Sequence, residues 1–243
     1  MSVAIITGAS RGLGRAVAEG LARQGWSLVI DGRDAAALRE AADQIGSEGL
    51  GDTQLRVVPG DITDAAHRQK LVAAAAELGG LDLLINNAGT LGASPLPHLD
   101  AYPLDGLRVA FEVNVVAPLG LTQEALPLLL TSTRPRLINI TSDAAVEPYE
   151  GWGGYGAGKA ALEHVGAVLN VEIPLLTVWT VDPGDMRTAM HQAAFVGEDI
   201  SDRPEPETVV PGLLHLIASE QPSGRYRIAD LHVADLHAAG VGS

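Results

Sequence analysis

Short apolar runs alternate along this chain with longer amphipathic stretches. Runs rich in Val, Ile and Leu at about 3–7, 27–31, 55–59, 82–86, 136–141, 175–181 and 226–229 read as strands. Between them, apolar residues recur with a period of roughly 3.6 at about 12–24, 34–46, 64–78, 104–130, 153–172 and 207–219, which reads as helix. Val17, Ala18, Leu21 and Ala22 form such a stripe in the first of these. Strands that are apolar along their whole length are covered on both faces. The alternation therefore predicts an α/β chain, with a parallel sheet of about seven strands and helices on both faces. No linker, low-complexity block or repeat divides it, so 1–243 is expected to form a single domain.

In such a sheet, ligands bind beyond the C-terminal ends of the strands. The polar segments of this chain fall at those ends. Thr7-Gly8-Ala9-Ser10-Arg11-Gly12-Leu13-Gly14 follows the first strand and opens the first helix. Glycines there permit a tight turn and close approach of backbone to a pyrophosphate at the helix N-terminus. The spacing is Gly-x3-Gly-x-Gly, not G-x-G-x-x-G, and alone it equally describes a helix-start turn. Tyr155 and Lys159, four apart, share one helix face, with Ser142 thirteen residues upstream. A phenol ionises near pH ~10. An ammonium beside it favours the phenolate and pulls its pKa toward the working range. A serine hydroxyl nearby can hold a carbonyl oxygen in line with that phenol. The alternative is an ordinary surface pair. Against it, the chain has two lysines, Lys70 and Lys159, beside fourteen arginines, and lysine is the cation whose pKa shifts readily.

Taken together, Thr7-Gly-x3-Gly-x-Gly14, Asn86-Asn-Ala-Gly89, Asn114, Ser142, Tyr155-x3-Lys159 and Pro183-Gly184 stand in the order and spacing of the short-chain dehydrogenase/reductase family. The chain resembles that family over nearly its whole length. The resemblance implies a single NAD(P)-binding domain, a Rossmann-like doubly wound parallel sheet, and an oxidoreductase that reduces a ketone or aldehyde, or oxidises an alcohol. It implies four catalytic residues: Ser142 orients the carbonyl, Tyr155 is general acid or base, Lys159 supports the phenol and binds the nicotinamide ribose, and Asn114 holds a relay water. A buried amide that packs the core is the other reading of Asn114. By the same resemblance the cofactor contacts Gly8, Ser10, Arg11, Gly12, Leu13, Gly14, Arg33, Asp61, Ile62, Asn87, Ala88 and Gly89. Tyr155, Lys159, Pro183, Gly184 and Thr188 complete that set. Asp61 would accept from the adenine amino group and Thr188 would contact the carboxamide. Asp61 also reads as a helix N-cap, in competition with Thr63 and Asp64.

The end of the second strand, Asp31-Gly32-Arg33, bears on the choice of cofactor. Members of the family that use NAD place an acidic residue there for the ribose 2′-hydroxyl. With Gly32 aligned to that position, Arg33 and Arg11 would grip a 2′-phosphate, and NADP(H) is preferred over NAD(H). With the alignment moved one residue, Asp31 becomes the ribose acceptor and NAD is favoured. Two readings besides a reductase remain: a catalytically silent NADP(H)-sensing regulator, and an epimerase or dehydratase. The first usually lacks part of the catalytic set; the second generally has a Gly-x2-Gly-x2-Gly loop.

Composition narrows the partners. A formal net charge of −14 and a pI near 4.8 argue against nucleic acid. No apolar run approaches the ~18 residues of a membrane span. There is no basic segment leading into an apolar one at the N-terminus, and there is no cysteine. A cytoplasmic protein is expected, with no metal. His232 and His237, five apart, have no partner cluster to make a metal site. Three segments, 90–103, 143–154 and 185–206, should surround a small-molecule substrate, read as a neutral or apolar carbonyl compound. Phosphorylated and acyl-carrier substrates are disfavoured. Met186, Met190 and Phe195 mark 185–206 as a lid, whose second half has no hydrophobic periodicity. Leu121, Leu126, Leu128 and Leu129 exceed one sheet-facing stripe, so a homo-oligomer, tetramer or dimer, is expected. The chain departs from the family at Gly158, at Trp179 and in its C-terminal sequence.

Overall fold

The computed structural model describes residues 2–47 and 53–231, and His232 and His237 lie outside them. Seven strands form one sheet: β1 (Val3–Ile6), β2 (Ser27–Gly32), β3 (Leu55–Pro59), β4 (Leu83–Asn86), β5 (Arg136–Ile140), β6 (Thr177–Asp182) and β7 (Gly224–Arg227). All pairs are parallel and the order is β3-β2-β1-β4-β5-β6-β7. The strand order reverses between β1 and β4, so a crevice opens there at the C-terminal edge. The helices are α1 (Gly12–Arg23), α2 (Ala35–Ser47), α3 (Ala65–Glu77), α4 (Leu104–Phe111), α5 (Ala117–Leu129), α6 (Gly153–Glu172), α7 (Ala189–Ala194) and α8 (Val210–Ala218).

The central strands β1, β2, β4 and β5 are buried at every position, as their unbroken apolar runs require. Two cores result. Ile6, Leu28, Ile30 and Trp179 pack under α1, α2 and α8 on one face. Ile5, Val29, Leu84 and Val178 pack under α3, α5 and α6 on the other. Neighbouring residues such as Ile5 and Ile6 thus serve opposite cores, the period-2 rule of a strand.

The structure differs from the pattern in four places. The expected helix at 104–130 is interrupted by a π-helical turn at Glu112–Val116. Pro118 contributes to this break: it has no N–H to offer the carbonyl of Asn114 four residues back. β7 begins at Gly224, two residues before the apolar run, because an edge strand tolerates polar residues such as Arg225 and Arg227. α7 was not expected; six residues are too few for a helical period to register. The surplus leucines of α5 are core residues. Leu121 and Leu129 are fully buried, and Leu126 and Leu128 pack against the same cluster. The exposed apolar residues of these helices are others: Leu104, Val109, Val116, Val168 and Val171.

Candidate active site

A cleft of about 1480 Å³ runs across the C-terminal edge of the sheet. It gathers every expected site residue except Gly14 and Asn114, which lie behind its wall. At one end is the turn after β1. Gly14 is required by closeness, since a Cβ there would stand 2.5 Å from Asn87 Nδ2 and from the Gly8 carbonyl oxygen, and Gly12 by its φ of 57°. Asn87 Nδ2 donates to the Thr7 carbonyl at 2.8 Å, and Asn87 N donates to Thr7 Oγ1 at 2.9 Å. The turns after β1 and β4 are thereby tied together at the point where strand order reverses. Arg11 stands at the N-cap of α1 without a side-chain cap bond, and the first turn holds no acidic residue. The leading N–H groups therefore present their partial positive charge to the cleft with no side chain answering it, which suits a pyrophosphate.

At the end of β2, Asp31 is buried and turned inward. Its Oδ1 accepts from Gly8 N at 2.6 Å, and its Oδ2 lies 3.1 Å from Nε2 of the equally buried His67. His67 fits under Gly60, where a Cβ would come within 2.2 Å of its Nδ1. Both Asp31 oxygens are thus committed to the protein. Arg33 and Arg11 are exposed and line the cleft, Arg11 lying 3.8 Å from Asp34. Asp61 does not cap α3; Asp64 does, accepting from Ala66 N at 2.9 Å. Asp61 Oδ1 instead accepts from Thr63 N and Oγ1. The Thr63 backbone bond, the Thr63 hydroxyl and the charge of Arg33 hold the Asp61 carboxyl below its usual range.

At the other end of the cleft, Tyr155 and Lys159 are both buried in the first two turns of α6. Lys159 Nζ lies 5.6 Å from the centre of the phenol ring and donates to the Ile140 carbonyl at 2.7 Å. Ser142, just past β5, donates from Oγ to Asp143 Oδ1 at 2.9 Å. Burial pushes Lys159 down to about 8. Burial also pushes Tyr155 above its ordinary range; the Asp182 and Asp143 carboxylates add to this and the Ser142 hydroxyl opposes it. The expected lowering of the phenol is therefore corrected for this geometry. Desolvation and the two carboxylates outweigh the Ser142 hydroxyl, so at neutral pH the phenol keeps its proton while the ammonium keeps its charge. Asn114 is fully buried, and its amide clasps one residue: Nδ2 donates to the Thr90 carbonyl at 2.8 Å, and Oδ1 accepts from Thr90 N at 2.9 Å.

Loops supply the remaining wall. Trp152 lies edge-on to Tyr155 at 5.6 Å between ring centres and 6.1 Å from Phe195, which in turn lies 4.8 Å from His191. Thr188 Oγ1 caps α7 by accepting from His191 N at 3.1 Å. Its methyl faces Gly12 across the cleft. The second half of 185–206 packs better than its sequence suggests. Ile200 is buried, Arg187 N donates to the Pro204 carbonyl, and Arg187 pairs with Glu205. One intervening salt bridge, Arg203 to Asp185 at 3.5 Å, crosses the strap.

Comparison with known proteins agrees with this geometry. The family model described as short chain dehydrogenase matches residues 2–199. The chain belongs to the short-chain dehydrogenase/reductase family. It is 35% identical over 203 residues to sepiapterin reductase of Mus musculus, covering 79% of this chain and 77% of that protein. A short-chain dehydrogenase structure from Pseudomonas syringae superposes with a TM-score of 0.86 at 31% identity, over 93% of both chains. One from Escherichia coli CFT073, complexed with NADPH, gives 0.85 at 30% identity, over 93% of this chain and 96% of that one.

Within this short-chain dehydrogenase/reductase, the sequence reading missed a charged cluster behind Ser142. Arg225 donates to the Ser142 carbonyl at 3.3 Å, to Asp182 Oδ2 at 3.2 Å and to Glu163 Oε1 at 3.0 Å. Thr141 Oγ1 donates to the same Glu163 oxygen at 2.7 Å. The signal available was Asp182, a carboxylate closing an otherwise apolar strand, with arginines two apart on the last strand. Asp31 and His67 were equally unremarked as a pair, since 36 residues separate them. Among the described residues no group of side chains could hold a metal ion, and no helix is long and apolar enough to cross a membrane.

Proposed function

We propose that this protein is an NADP(H)-dependent oxidoreductase that interconverts a carbonyl compound and its alcohol. The observation that carries the reading is the placement of Tyr155, Lys159 and Ser142 at one end of a cleft whose other end is the glycine turn and the bare N-terminus of α1. Bound across that cleft, NADPH would supply the hydride.

The chain's own residues supply the rest. In reduction Tyr155, kept protonated by its burial, gives its proton to the carbonyl oxygen. Ser142 turns its hydroxyl from Asp143 to that oxygen and fixes its direction. Lys159, held by the Ile140 carbonyl, keeps positive charge beside the phenol as the proton leaves. Asn114 clasps Thr90 and, by the family resemblance, would hold a water that resupplies the proton. In oxidation Tyr155 accepts the alcohol proton.

The preference for NADP(H) is supported by the inward turn of Asp31 and the outward reach of Arg33 and Arg11. A 2′-phosphate would meet two guanidinium groups there, while both Asp31 oxygens are engaged by Gly8 N and His67 and are not offered to a ribose hydroxyl. The exposed residues Leu104 and Val109 on α4, Val116 in the π-helical turn, and Val168 and Val171 on α6 support a homo-oligomer.

The test is NADPH oxidation over a panel of ketones, aldehydes and quinones, beside direct binding of NADPH and NADH. Turnover with NADPH ahead of NADH is expected. Tight NADPH binding with no turnover on any carbonyl would favour the cofactor-sensing alternative. Failure to bind either nucleotide would overturn the reading.

A further inference from the structure

The two ends of the cleft differ in charge. Arg11 and Arg33, both exposed, and the half-buried Arg15 line the end taken by the glycine turn and β2, together with Asp34 and Asp61. Around Tyr155 the charged groups facing the cleft are carboxylates: Asp143, Asp182 and Asp185. The cations beside them are already engaged. Arg187 pairs with Glu205, Arg203 with Asp185, and Arg225 with Asp182 and Glu163. Lys159 is buried and committed to the Ile140 carbonyl. A carboxylate or phosphate carried by the substrate would meet like charge here; besides Lys159, the basic group at this end without a close partner among the described residues is His191, whose Nε2 is buried with no hydrogen bond.

The wall at this end is aromatic. The whole chain has two Phe and three Trp, yet Trp152 stands beside the phenol and Phe195 stands against Trp152. Both are half-buried, so part of each ring remains open to a ligand. Phe195 is backed by the His191 ring at 4.8 Å, and Trp152 is braced edge-on by Tyr155 at 5.6 Å. Rings held in place by other rings offer flat, electron-rich faces at little ordering cost. Such faces favour a planar aromatic group, and they favour a cation over an anion.

We propose that the substrate is an aromatic carbonyl compound, uncharged or cationic, whose ring lies against Trp152 and Phe195 while its carbonyl oxygen faces Ser142 and Tyr155. This rests on the oxidoreductase reading above and names the substrate class of that site. In the step, the carbonyl carbon gains the hydride of NADPH and the oxygen gains the phenolic proton. The products are an alcohol and NADP+.

The test uses unreactive probes, so that differences in carbonyl reactivity do not enter. Benzamide, cyclohexanecarboxamide, benzoate and benzyltrimethylammonium are titrated into the NADP-loaded protein by calorimetry. Benzamide should bind about three- to tenfold more tightly than its saturated analogue, the range expected of a favourable aromatic contact. Benzyltrimethylammonium should bind and benzoate should not. Trp152→Leu and Phe195→Leu should each erase most of the ring preference, and Trp152→Phe should retain it. Equal binding of benzamide and cyclohexanecarboxamide, or benzoate as the tightest probe, would overturn the proposal. A ring preference in a protein that turns over no carbonyl would leave this binding site standing and remove the oxidoreductase reading.

Discussion

The two ends of the cleft are built differently. The dinucleotide end is made at strand termini and closed by buried or partly buried hydrogen bonds: Gly8 to Asp31, Asn87 to Thr7, and Asn86 to Asn139 at 2.9 Å. The substrate end is made by connecting segments and held largely by exposed ion pairs, such as Arg203 with Asp185 and Arg187 with Glu205. Buried polar contacts lose much when broken, whereas exposed ion pairs are each worth little. The first end should therefore be rigid before any ligand arrives, and the second should take its final form around one. Tyr155 and Lys159 belong to the first kind by burial and face the second by position.

The sharpest way to separate the ends is Tyr155→Phe, which removes the proton donor and keeps the ring. Turnover should fall by about 10²–10⁴-fold or more, while NADPH binding stays as in the wild type. Steady-state kinetics and a binding titration check this together. Retention of more than about a tenth of the activity would sink the role given to the phenol.

Arg33→Ala acts on the opposite end. It should weaken NADPH by about 1.5–3 kcal/mol, the range for hydrogen bonds to a charged group, and leave NADH nearly unchanged. His67→Leu refines that result. It strands Asp31 Oδ2 in a buried site and loosens the Gly8 turn, which both nucleotides would use. A loss of about 1–3 kcal/mol in folding stability is expected, with NADPH and NADH affinities weakened alike. A selective gain of NADH by His67→Leu would show that Asp31 can turn outward to a ribose, and the rigid picture of this end would fail.

The difference between the ends also explains what was legible in the sequence. Glycines that permit close contact, a Tyr and a Lys one helical turn apart, and polar residues closing apolar strands are local signals, and they located the fold and most of the site. Asp31 and His67 meet only because β2 pairs with β3 and α3 packs back over both, so their contact leaves no local trace. The π-helical turn at Asn114 was hidden because a period of 3.6 hardly differs from its neighbours over five residues. Pro118 was the available hint. Trp152 lies only three residues before Tyr155 and Phe195 was legible as an apolar residue of 185–206, but their approach to each other, at 6.1 Å, is made by tertiary packing alone. The pKa of Tyr155 was misjudged for a related reason. Sequence names the lysine neighbour but not the depth of burial, and burial decides the direction here.

Lys159 gives a pH test of the border between the ends. Its charge is held below a pKa of about 8 and lost above it, because burial penalises the ammonium. Tyr155 is shifted the other way and keeps its proton through the same range. For reduction, kcat/KM, which reports groups of the free enzyme, should be level near neutral pH and fall as pH rises through about 8. An arginine stays charged throughout, so whatever activity Lys159→Arg retains should lack that falling limb. A limb that persists in the variant would assign the titration to another group.

The smallest expected effect is a change in protection at the substrate end. Residues 185–206 are strapped to the body by the Arg187 to Pro204 backbone bond, by Ile200, and by Ser94 Oγ donating to the Ala193 carbonyl at 2.6 Å. Most of the segment's other side-chain contacts are exposed, as at Arg203 with Asp202 and Ser201 N with Asp199. A segment held this way opens at low free energy and can gate access to the phenol. Hydrogen exchange on 185–206 should slow when NADP and an unreactive ring probe such as benzamide are added. The change should exceed that in α3, which is anchored by Leu71 and Ala75 in the core away from the cleft. The apolar residues Met190 and Phe195 line the cleft and would lose solvent on closure, which supplies the driving force. Full protection in the protein alone, unchanged by both ligands, would make this segment a fixed wall. The two ends would then be equally rigid, and the contrast between them would reduce to chemistry.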